Sequence, residues 1–349
     1  MKEALVSPDA KVKIVDSPIP KPNADQVLIK VVCSGTNPKD WKHPMWTKQS
    51  LNAGDDIAGI IEQVGENITE FKPGDRVAAF HEIEAPHGSF AEYAIAWGHT
   101  TFHLPKKTSF EEAATIPLAA MTAVYGLYDS LGLPQPWHPA TEPLPLIVYG
   151  ASSAVGAFAV KLARLSNIHP IIAVAGHGQS FVETLIDRSS GDTIVDYRKG
   201  AESLITGIKD AVKAAGANEV KYALDAVSDH GSYENLFKVL APGGTFTLVL
   251  PNIDTSGFPS NLTFRPTMVG DAHLPIPEDH KKLRIETGKK DLAFVYFRFF
   301  TRALQQGWLK AHPYEVLPGG LNAIETGLAN LKSGKNSASK YVYRIAETK

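Results

Sequence analysis

The chain has 349 residues, more than one compact core usually holds, so we expect two domains. Its 35 basic and 37 acidic residues leave a formal net charge of -2, which lacks the positive excess that neutralises nucleic-acid phosphates. A single cysteine, Cys33, excludes an intramolecular disulfide and any multi-cysteine zinc site. The sequence shows neither a bilayer-length apolar stretch nor an apolar signal core in residues 1–8. We therefore expect a cytoplasmic protein that binds neither nucleic acid nor membrane.

The first third of the chain has the pattern of an all-β module. Short alternating segments such as Gln26–Val32 are separated by frequent prolines and glycines, and helical periodicity is weak before about Phe110. This pattern predicts strands joined by loops, and it places the Asn37–Lys42 segment in a loop.

A different pattern begins at Leu146, where an apolar strand runs through small residues into a helix. Small side chains let the backbone approach a pyrophosphate, and the free N–H groups at the start of a helix favour negative charge. The same string also suits a tight strand-to-helix turn that uses glycine and serine only for steric reasons. The candidate phosphate-binding residues are Gly150, Ser152, Ser153, Ala154, Val155 and Gly156.

Apolar strands then alternate with amphipathic helices as far as residue 250. This alternation predicts a parallel, doubly wound sheet, the fold that binds dinucleotides. Five segments read as its strands: 146–149, 171–175, 193–197, 222–227 and 244–250.

The end of the second strand bears on which nucleotide binds. NAD-specific sheets usually place a carboxylate there for the ribose diol, but this sequence continues from Ala175 with small and uncharged residues. We expect NADPH, held by Gly176, His177 and Ser180, with Tyr197 on the neighbouring strand. The alternative is that the glycines only turn the chain and that His177 is a solvated loop residue.

Taken with this sheet, three stretches of the first third resemble the medium-chain dehydrogenase/reductase superfamily: Gly54–Gly65, Phe71–Val77 and Gly88–Tyr93. The resemblance extends over essentially the whole chain, including the tail from Leu317 to Arg344. It implies a GroES-like β-barrel catalytic domain and a Rossmann nucleotide-binding domain. The catalytic domain would be discontinuous, with residues 1–120 and 300–349 around a nucleotide-binding domain of residues 121–299.

Zinc alcohol dehydrogenases of this superfamily hold their metal with cysteines and a histidine that this chain lacks. Asn37 stands where the first cysteine would be, and Asp55 replaces the histidine. His81 and His87 have no partner at ligand spacing, so we expect no bound metal.

The Asn37-Pro38-x-Asp40-x-Lys42 arrangement resembles the zinc-free quinone oxidoreductase branch, and within it the fungal trans-acting enoyl reductases and toxin-cluster reductases. Without a metal, the easier chemistry is hydride transfer to an acceptor activated by conjugation: an enone, an enoyl thioester or a quinone. Lys42 and Asn37 are the candidate donors to the oxyanion that forms. The alternative for Lys42 is a solvated side chain.

The resemblance also adds four candidate cofactor-binding positions. They are Thr122 near the nicotinamide ribose, Leu250 and Pro251 beside the nicotinamide ring, and Lys340 at a cofactor phosphate. We expect the acceptor in a cleft between the domains and a monomer in preference to a homodimer, because prolines and lysines discourage edge-to-edge pairing. Two alternatives stay open: a trans-acting partner of a polyketide synthase that reads a carrier domain, and an NADPH-binding protein with little turnover.

Overall fold

The computed structural model describes residues 1–284 and 287–349, which form two compact units. One unit contains Met1–Leu118 and Gly270–Lys349, and the other contains Ala119–Val269. Within the described residues, no helix has the length and apolar character needed to cross a membrane.

The regular elements are numbered here in chain order. The strands are β1 Lys2–Val6, β2 Val12–Asp16, β3 Gln26–Gly35, β4 Asp56–Val64, β5 Arg76–Phe80, β6 Tyr93–Trp97, β7 Thr101–His103, β8 Leu146–Tyr149, β9 Ile171–Ala175, β10 Thr193–Asp196, β11 Tyr222–Asp225, β12 Thr245–Leu248, β13 Thr263–Phe264, β14 Tyr314–Val316 and β15 Lys340–Arg344. The α-helices are α1 Lys39–Thr47, α2 Phe110–Ala113, α3 Pro117–Val124, α4 Ala154–Leu165, α5 Gln179–Glu183, α6 Ala201–Ala214, α7 Ser232–Phe237, α8 Glu278–Lys282, α9 Lys289–Gln306 and α10 Ile324–Lys332.

The unit made by the two chain ends is built on a sheet in the order β14-β15-β3-β4-β5-β7, with β6 also paired to β3. All of these pairs are antiparallel except β14 with β15, and β1 with β2 forms a separate antiparallel ribbon. A core of buried side chains such as Ile29, Ile57 and Phe90 fills one side of the sheet. The sheet brings the start of β4, the end of β3 and the start of β15 to one edge, because Gly35 pairs with both Asp56 and Val342.

The middle unit is a parallel sheet in the order β10-β9-β8-β11-β12-β13. Its strands β8 and β9 are wholly buried, as expected for a sheet that helices cover on both faces, whereas the edge strands β10 and β13 are partly exposed. The sheet confirms the predicted doubly wound fold. From β8 the chain adds strands towards one edge as far as β10, and from β11 it adds strands towards the other edge. Folds of this kind bind ligands at the point between β8 and β11 where the strand order reverses.

The two units divide after Leu118 and after Val269, whereas the sequence analysis placed the two crossings after residues 120 and 299. Helix α9, which spans the expected second crossing, belongs to the unit of the chain ends. Its Arg298 donates to the carbonyl oxygens of His99 and Thr101, both at 3.1 Å. Phe297 packs against Phe102 with ring centroids 5.7 Å apart. These contacts tie α9 to β7 and so to the unit of the chain ends.

The Asn37–Lys42 segment is also different from the prediction, because Lys39–Thr47 form helix α1. Pro44 lies inside this helix and cannot donate a backbone hydrogen bond. With a proline inside, a helix this short does not show the apolar periodicity from which helices are predicted. Lys42 is therefore on a helix rather than in a loop.

Candidate active site

The loop after β8 has the geometry of a phosphate-binding turn. Gly150 takes a positive φ of 75°, and Ser153 then caps α4 by accepting a hydrogen bond from the N–H of Gly156 at 3.1 Å. Ser152, Ser153, Ala154 and Val155 are partly exposed, whereas Gly156 is buried. The chain thus presents its backbone at the start of a twelve-residue helix, where the N–H groups and the helix dipole favour an anion.

Two glycines keep this turn open because neither position has room for a side chain. A Cβ on Gly156 would lie 2.2 Å from the carbonyl oxygen of Gly150, and a Cβ on Gly150 would lie 2.6 Å from Cγ2 of Val227. Only glycine allows this close approach of strand, turn and helix. The residues present therefore fit the pyrophosphate of a dinucleotide.

The end of β9 agrees in part with the expectation. His177 and Ser180 are exposed, and a Cβ on Gly176 would lie 2.6 Å from the Tyr197 ring. The neighbouring strand adds a carboxylate, since Ala175 pairs in register with Asp196.

The Arg198 guanidinium forms an ion pair with the Asp196 carboxylate. Its Nε lies 2.9 Å from Asp196 Oδ1 and its Nη2 lies 2.7 Å from Asp196 Oδ2. Hydrogen bonds from Arg198 hold the pKa of Asp196 well below its usual range. The Arg198 side chain is still 42 % exposed. A solvent-accessible guanidinium therefore lies beside the loop at which the sequence predicts the 2′-phosphate.

The remaining nucleotide-site candidates lie in the same unit. Thr122 is buried on α3, and Leu250 and Pro251 are partly exposed just beyond the carboxyl end of β12. Their roles at the nucleotide remain predictions.

Asp225, at the end of β11, was not singled out by the sequence. It accepts hydrogen bonds from the N–H groups of Val227 and Ser228 at 2.8 and 2.9 Å and from the Ser232 hydroxyl. Burial raises its pKa to about 6. This carboxyl group organises the loop that packs against Gly150.

In the other unit, Lys340 and Asn37 belong to a buried polar cluster. The Lys340 ammonium lies 2.5 Å from Asp56 Oδ2 and 3.1 Å from Asn37 Oδ1, and Asn37 Nδ2 donates to Asp56 Oδ2 at 2.6 Å. All three side chains are at least 96 % buried, since Asn37, the most accessible of them, is 4 % exposed. These contacts support a structural role for Lys340 instead of the predicted contact with a cofactor phosphate. The Asn37 amide, which was expected to donate to the oxyanion, is hydrogen-bonded to Asp56 and Lys340.

A second buried cluster joins α1 to the ends of β4 and β5. Lys39 lies 3.0 Å from Asp40 Oδ1, contacts Asp55 Oδ2 and donates to the Ala53 carbonyl oxygen at 2.6 Å. Asp55 Oδ1 lies 3.0 Å from His81 Nδ1. The β4–β5 register brings these last two residues together, because Asp56 pairs with Phe80.

The ionisable groups of this second cluster shift one another's pKa values. Burial raises the pKa of Asp40 to about 7, although the Lys39 ammonium opposes the shift. Burial alone would lower the pKa of Lys39, but attraction to Asp40 and Asp55 outweighs it and raises that pKa above its usual range. Burial alone would raise the pKa of Asp55, yet Lys39 and His81 lower it.

Lys42, the other catalytic candidate, is partly exposed on α1. Its Nζ lies 5.6 Å from the centroid of the Trp41 ring, and Lys332 lies 5.5 Å from the same ring. An ammonium held by an aromatic face keeps hydrogen-bond donors free for an anion.

The positions that hold zinc in related dehydrogenases are occupied differently here. An ammonium sits against the carboxylate of Asp55, and Asn37 is committed to Asp56 and Lys340. Among residues 1–284 and 287–349, the structure brings together no group of three or more histidine, cysteine or acidic side chains suited to a metal ion. The residues present in the first unit thus suit a buried ionic network.

The sequence alone missed Lys39, Asp55 and His81 as one cluster. Lys39 and Asp40 were visible in the motif, but nothing local indicates that Asp55 and His81 meet them. The antiparallel pairing of β4 with β5 creates this meeting.

Comparison with known proteins places this geometry in a family. Residues 23–106 match the model of the alcohol dehydrogenase GroES-like domain. The chain is similar over 98 % of its length to the structure of the CurK enoyl reductase, with a TM-score of 0.75 and 20 % identity. It is also similar over 99 % to the quinone oxidoreductase from Coxiella burnetii, with a TM-score of 0.72 and 19 % identity. The two-unit architecture and the glycine turn are those of a medium-chain dehydrogenase/reductase.

The relatives among curated sequences are more specific. The chain is 46 % identical to trans-enoyl reductase fsr4 from Gibberella fujikuroi, over 91 % of both chains. It is 30 % identical to trans-enoyl reductase ACTTS2 from Alternaria alternata, over 98 % of both. The chain therefore belongs to the trans-enoyl reductase family of the medium-chain dehydrogenases/reductases, which confirms the resemblance seen in the Asn37–Lys42 motif.

Proposed function

We propose that this protein is an NADPH-dependent enoyl reductase that acts in trans on the conjugated double bond of an enoyl thioester carried by a polyketide synthase. Membership in the trans-enoyl reductase family supports the reaction class. The observation that carries the chemistry is the Lys39 ammonium seated on Asp55, because it leaves that carboxylate unsuited to a metal. An acceptor without Lewis-acid help has to be activated already, and conjugation with the thioester carbonyl provides that activation.

NADPH supplies the hydride when it is bound. The backbone of Gly150–Gly156 holds the pyrophosphate at the start of α4, where both critical glycines lack space for a Cβ. Arg198 and Ser180 hold the 2′-phosphate, and Arg198 also neutralises Asp196, which would otherwise repel it. This arrangement favours the phosphorylated cofactor.

Lys42 stabilises the developing enolate. Charge moves onto the thioester oxygen as the β-carbon is reduced, and a fixed ammonium at that oxygen lowers the barrier. Lys42 suits this role because it is partly exposed and lies over the Trp41 ring, whereas Lys340 is buried against Asp56.

The test is NADPH oxidation with crotonyl-pantetheine and with the same crotonyl group on a polyketide carrier domain. We expect saturated butyryl thioester from both, with the higher kcat/KM for the carrier-bound substrate. Substitution Lys42→Met should lower kcat by about 100-fold, and Lys48→Met, an exposed lysine just after α1, is the matched control. Wild-type protein that binds NADPH and reduces no enone, thioester or quinone would contradict the proposal and favour a binding role. Equal kcat values for Lys42→Met and wild type would remove only Lys42.

A further inference from the structure

The proposed reaction needs a proton as well as a hydride, and the second buried cluster has the connections to provide one. Lys39, Asp40, Asp55 and His81 form an unbroken row of polar contacts inside the unit of the chain ends. Three of these side chains are at most 2 % exposed, whereas the Lys39 side chain is 18 % exposed. Lys39 therefore has the most accessible side chain of the four.

The opposite end of the row borders a cavity. His81 lines a cavity of about 130 Å³ together with Pro86, His87 and Trp97. The volume is enough for water, and His87 adds a second imidazole to the lining. The row thus connects His81, which borders this cavity, with Lys39, the most accessible side chain.

Both ring nitrogens of His81 face hydrogen-bond acceptors. Nδ1 lies 3.0 Å from Asp55 Oδ1, and Nε2 lies 3.1 Å from the Pro86 carbonyl oxygen. Both partners are acceptors, and a neutral imidazole can donate to only one of them. Only an imidazolium donates to both.

Asp55 connects the two cations. One carboxylate oxygen faces His81 and the other contacts Lys39, so a proton that leaves the imidazolium is one carboxylate away from the amine. Asp40 contacts the other side of Lys39 and fixes its direction.

Lys39 also lies on the helix that carries Lys42. Positions three apart in a helix are neighbours on its surface. The carbonyl oxygen and the α-carbon of an enolate are two bonds apart. A substrate whose oxygen is held by Lys42 therefore presents its α-carbon within the same region of α1.

We propose that Lys39 donates the proton that completes the reduction at the α-carbon, and that Asp55 and His81 return a proton to Lys39 from water. The inference rests on the proposed enoyl reduction. In the step, an N–H bond of Lys39 breaks and a C–H bond forms, while the enolate electron pair becomes the new bond. His81 then passes a proton through Asp55 to the Lys39 amine, and water in the cavity reprotonates the imidazole. NADPH provides the electrons, so each turnover takes one proton from solvent.

The raised pKa of Lys39 suits this role. It keeps the amine charged between turnovers, and an enolate carbon is still far more basic than the amine. Other ionisable groups lie near the row. Lys340 forms an ion pair with Asp56, and Asp40 forms one with Lys39. His273 interacts electrostatically with His81 and Asp55.

The first test separates the proton step from the hydride step. A quinone takes the hydride but needs no proton on carbon, because its oxygens are protonated by water. Substitution Lys39→Met should lower crotonyl-pantetheine reduction by about 100-fold or more and leave 1,4-benzoquinone reduction within about threefold of wild type. Lys48→Met should change neither rate. The double variant Lys39→Met/Asp55→Asn removes one charge of each sign, and it replaces the single variant if that one fails to fold.

Equal effects on thioester and quinone reduction would overturn the assignment of Lys39 as the proton donor. If both acceptors lose or keep the same share of activity in the Lys39 variants, Lys39 only positions α1 and is not the proton donor.

The second test needs no cofactor. The ¹⁵N spectrum of His81 in the cofactor-free protein at pH 7 should show both ring nitrogens protonated, and Asp55→Asn should leave one protonated. A singly protonated His81 in the wild type would overturn the relay. Failure of wild-type protein to reduce any acceptor would instead count against the proposed function, and this spectrum would still test the relay.

Discussion

Gly156 shows how little space the nucleotide loop has to spare. The atom that an alanine would add lies 2.2 Å from the Gly150 carbonyl oxygen, which is backbone and cannot rotate away. The turn can only open, and opening it moves the N–H groups that we propose face the phosphate. This glycine could be anticipated from the sequence because its cause is local: a strand, a turn and a helix that follow one another.

Substitution Gly156→Ala should weaken NADPH binding by at least about tenfold and cost about 1–3 kcal/mol of unfolding free energy, as overpacking usually does. Fluorescence titration with NADPH and urea denaturation measure the two effects. The control is Gly257→Ala, since a Cβ at Gly257 meets nothing within 4 Å. Unchanged NADPH affinity in Gly156→Ala would mean that the dinucleotide does not use this turn.

Arg198 decides the cofactor preference in our account. Substitution Arg198→Ala removes a cation and frees Asp196, so the KM for NADPH should rise by about tenfold or more while the KM for NADH changes little. The ratio of the two kcat/KM values is the measurement. Arg188→Ala is the matched control, because Arg188 forms an exposed ion pair with Glu183 in the same unit. Equal losses for both cofactors would assign Arg198 to folding rather than selectivity.

Among the elements, the meeting of β3, β4 and β15 explains the buried ion pairs. Lys340 opens β15, Asp56 opens β4, and Asn37 follows the end of β3. Their side chains meet although Lys340 and Asp56 are 284 positions apart. Sequence patterns identify such strands but not which ones pair or in what register. For this reason Lys340 was expected at a phosphate, and the Asp55–His81 contact was not expected.

Substitution Lys340→Met should cost about 3–5 kcal/mol, because it leaves the Asp56 carboxylate buried without its cation. The double variant Lys340→Met/Asp56→Asn should regain part of that loss, which urea unfolding curves would show. Lys335→Met, at an exposed position, is the control. A cost below about 1 kcal/mol would place the pair in the range of surface salt bridges and contradict its burial.

Helix α1 illustrates a second limit at this scale. Nine residues with a proline inside do not produce a clear helical period, although Asp40 supports the first turn by accepting from the Asn37 N–H at 2.7 Å. The motif was recognised from residue identity alone. Its helical form, which sets Lys39 beside Lys42, required the structure.

At the scale of the whole molecule, both fold types were predictable, but the return point of the chain was not. The parallel sheet has a strong periodic pattern, whereas α9 has an amphipathic pattern that fits either unit. Contacts such as that of Thr301 with the His103 carbonyl oxygen, 2.9 Å long, decide its position. Long-range packing of this kind is not encoded in any single segment.

His273 should contribute a loss of stability in acid, in the opposite direction to the raised pKa values of Asp40 and Asp225. Burial, followed by the nearby His99 and His81, lowers its pKa to about 3. Between pH 6.5 and 3 His273 binds a proton in the unfolded chain and not in the folded chain, so its contribution to stability decreases as the pH falls through this range. From pH 6.5 to 5 the loss is roughly 2 kcal/mol.

Substitution His273→Phe should remove this loss, since phenylalanine can pack beside Phe80, whose ring centroid is 4.9 Å from that of His273. Urea unfolding of both proteins at pH 7 and pH 5 gives the comparison. His230→Phe, at an exposed site, is the control. The same acid loss in wild type and His273→Phe would mean that His273 is protonated in the folded protein.

The most direct measurement of the central idea is the rate at which chelator-treated protein reduces crotonyl thioester with NADPH. We propose that a buried network of lysines and carboxylates replaces the metal of related dehydrogenases, so the treated protein should keep its full rate and added zinc should not raise it. Loss of the rate on chelation, with recovery when zinc is returned, would contradict the account.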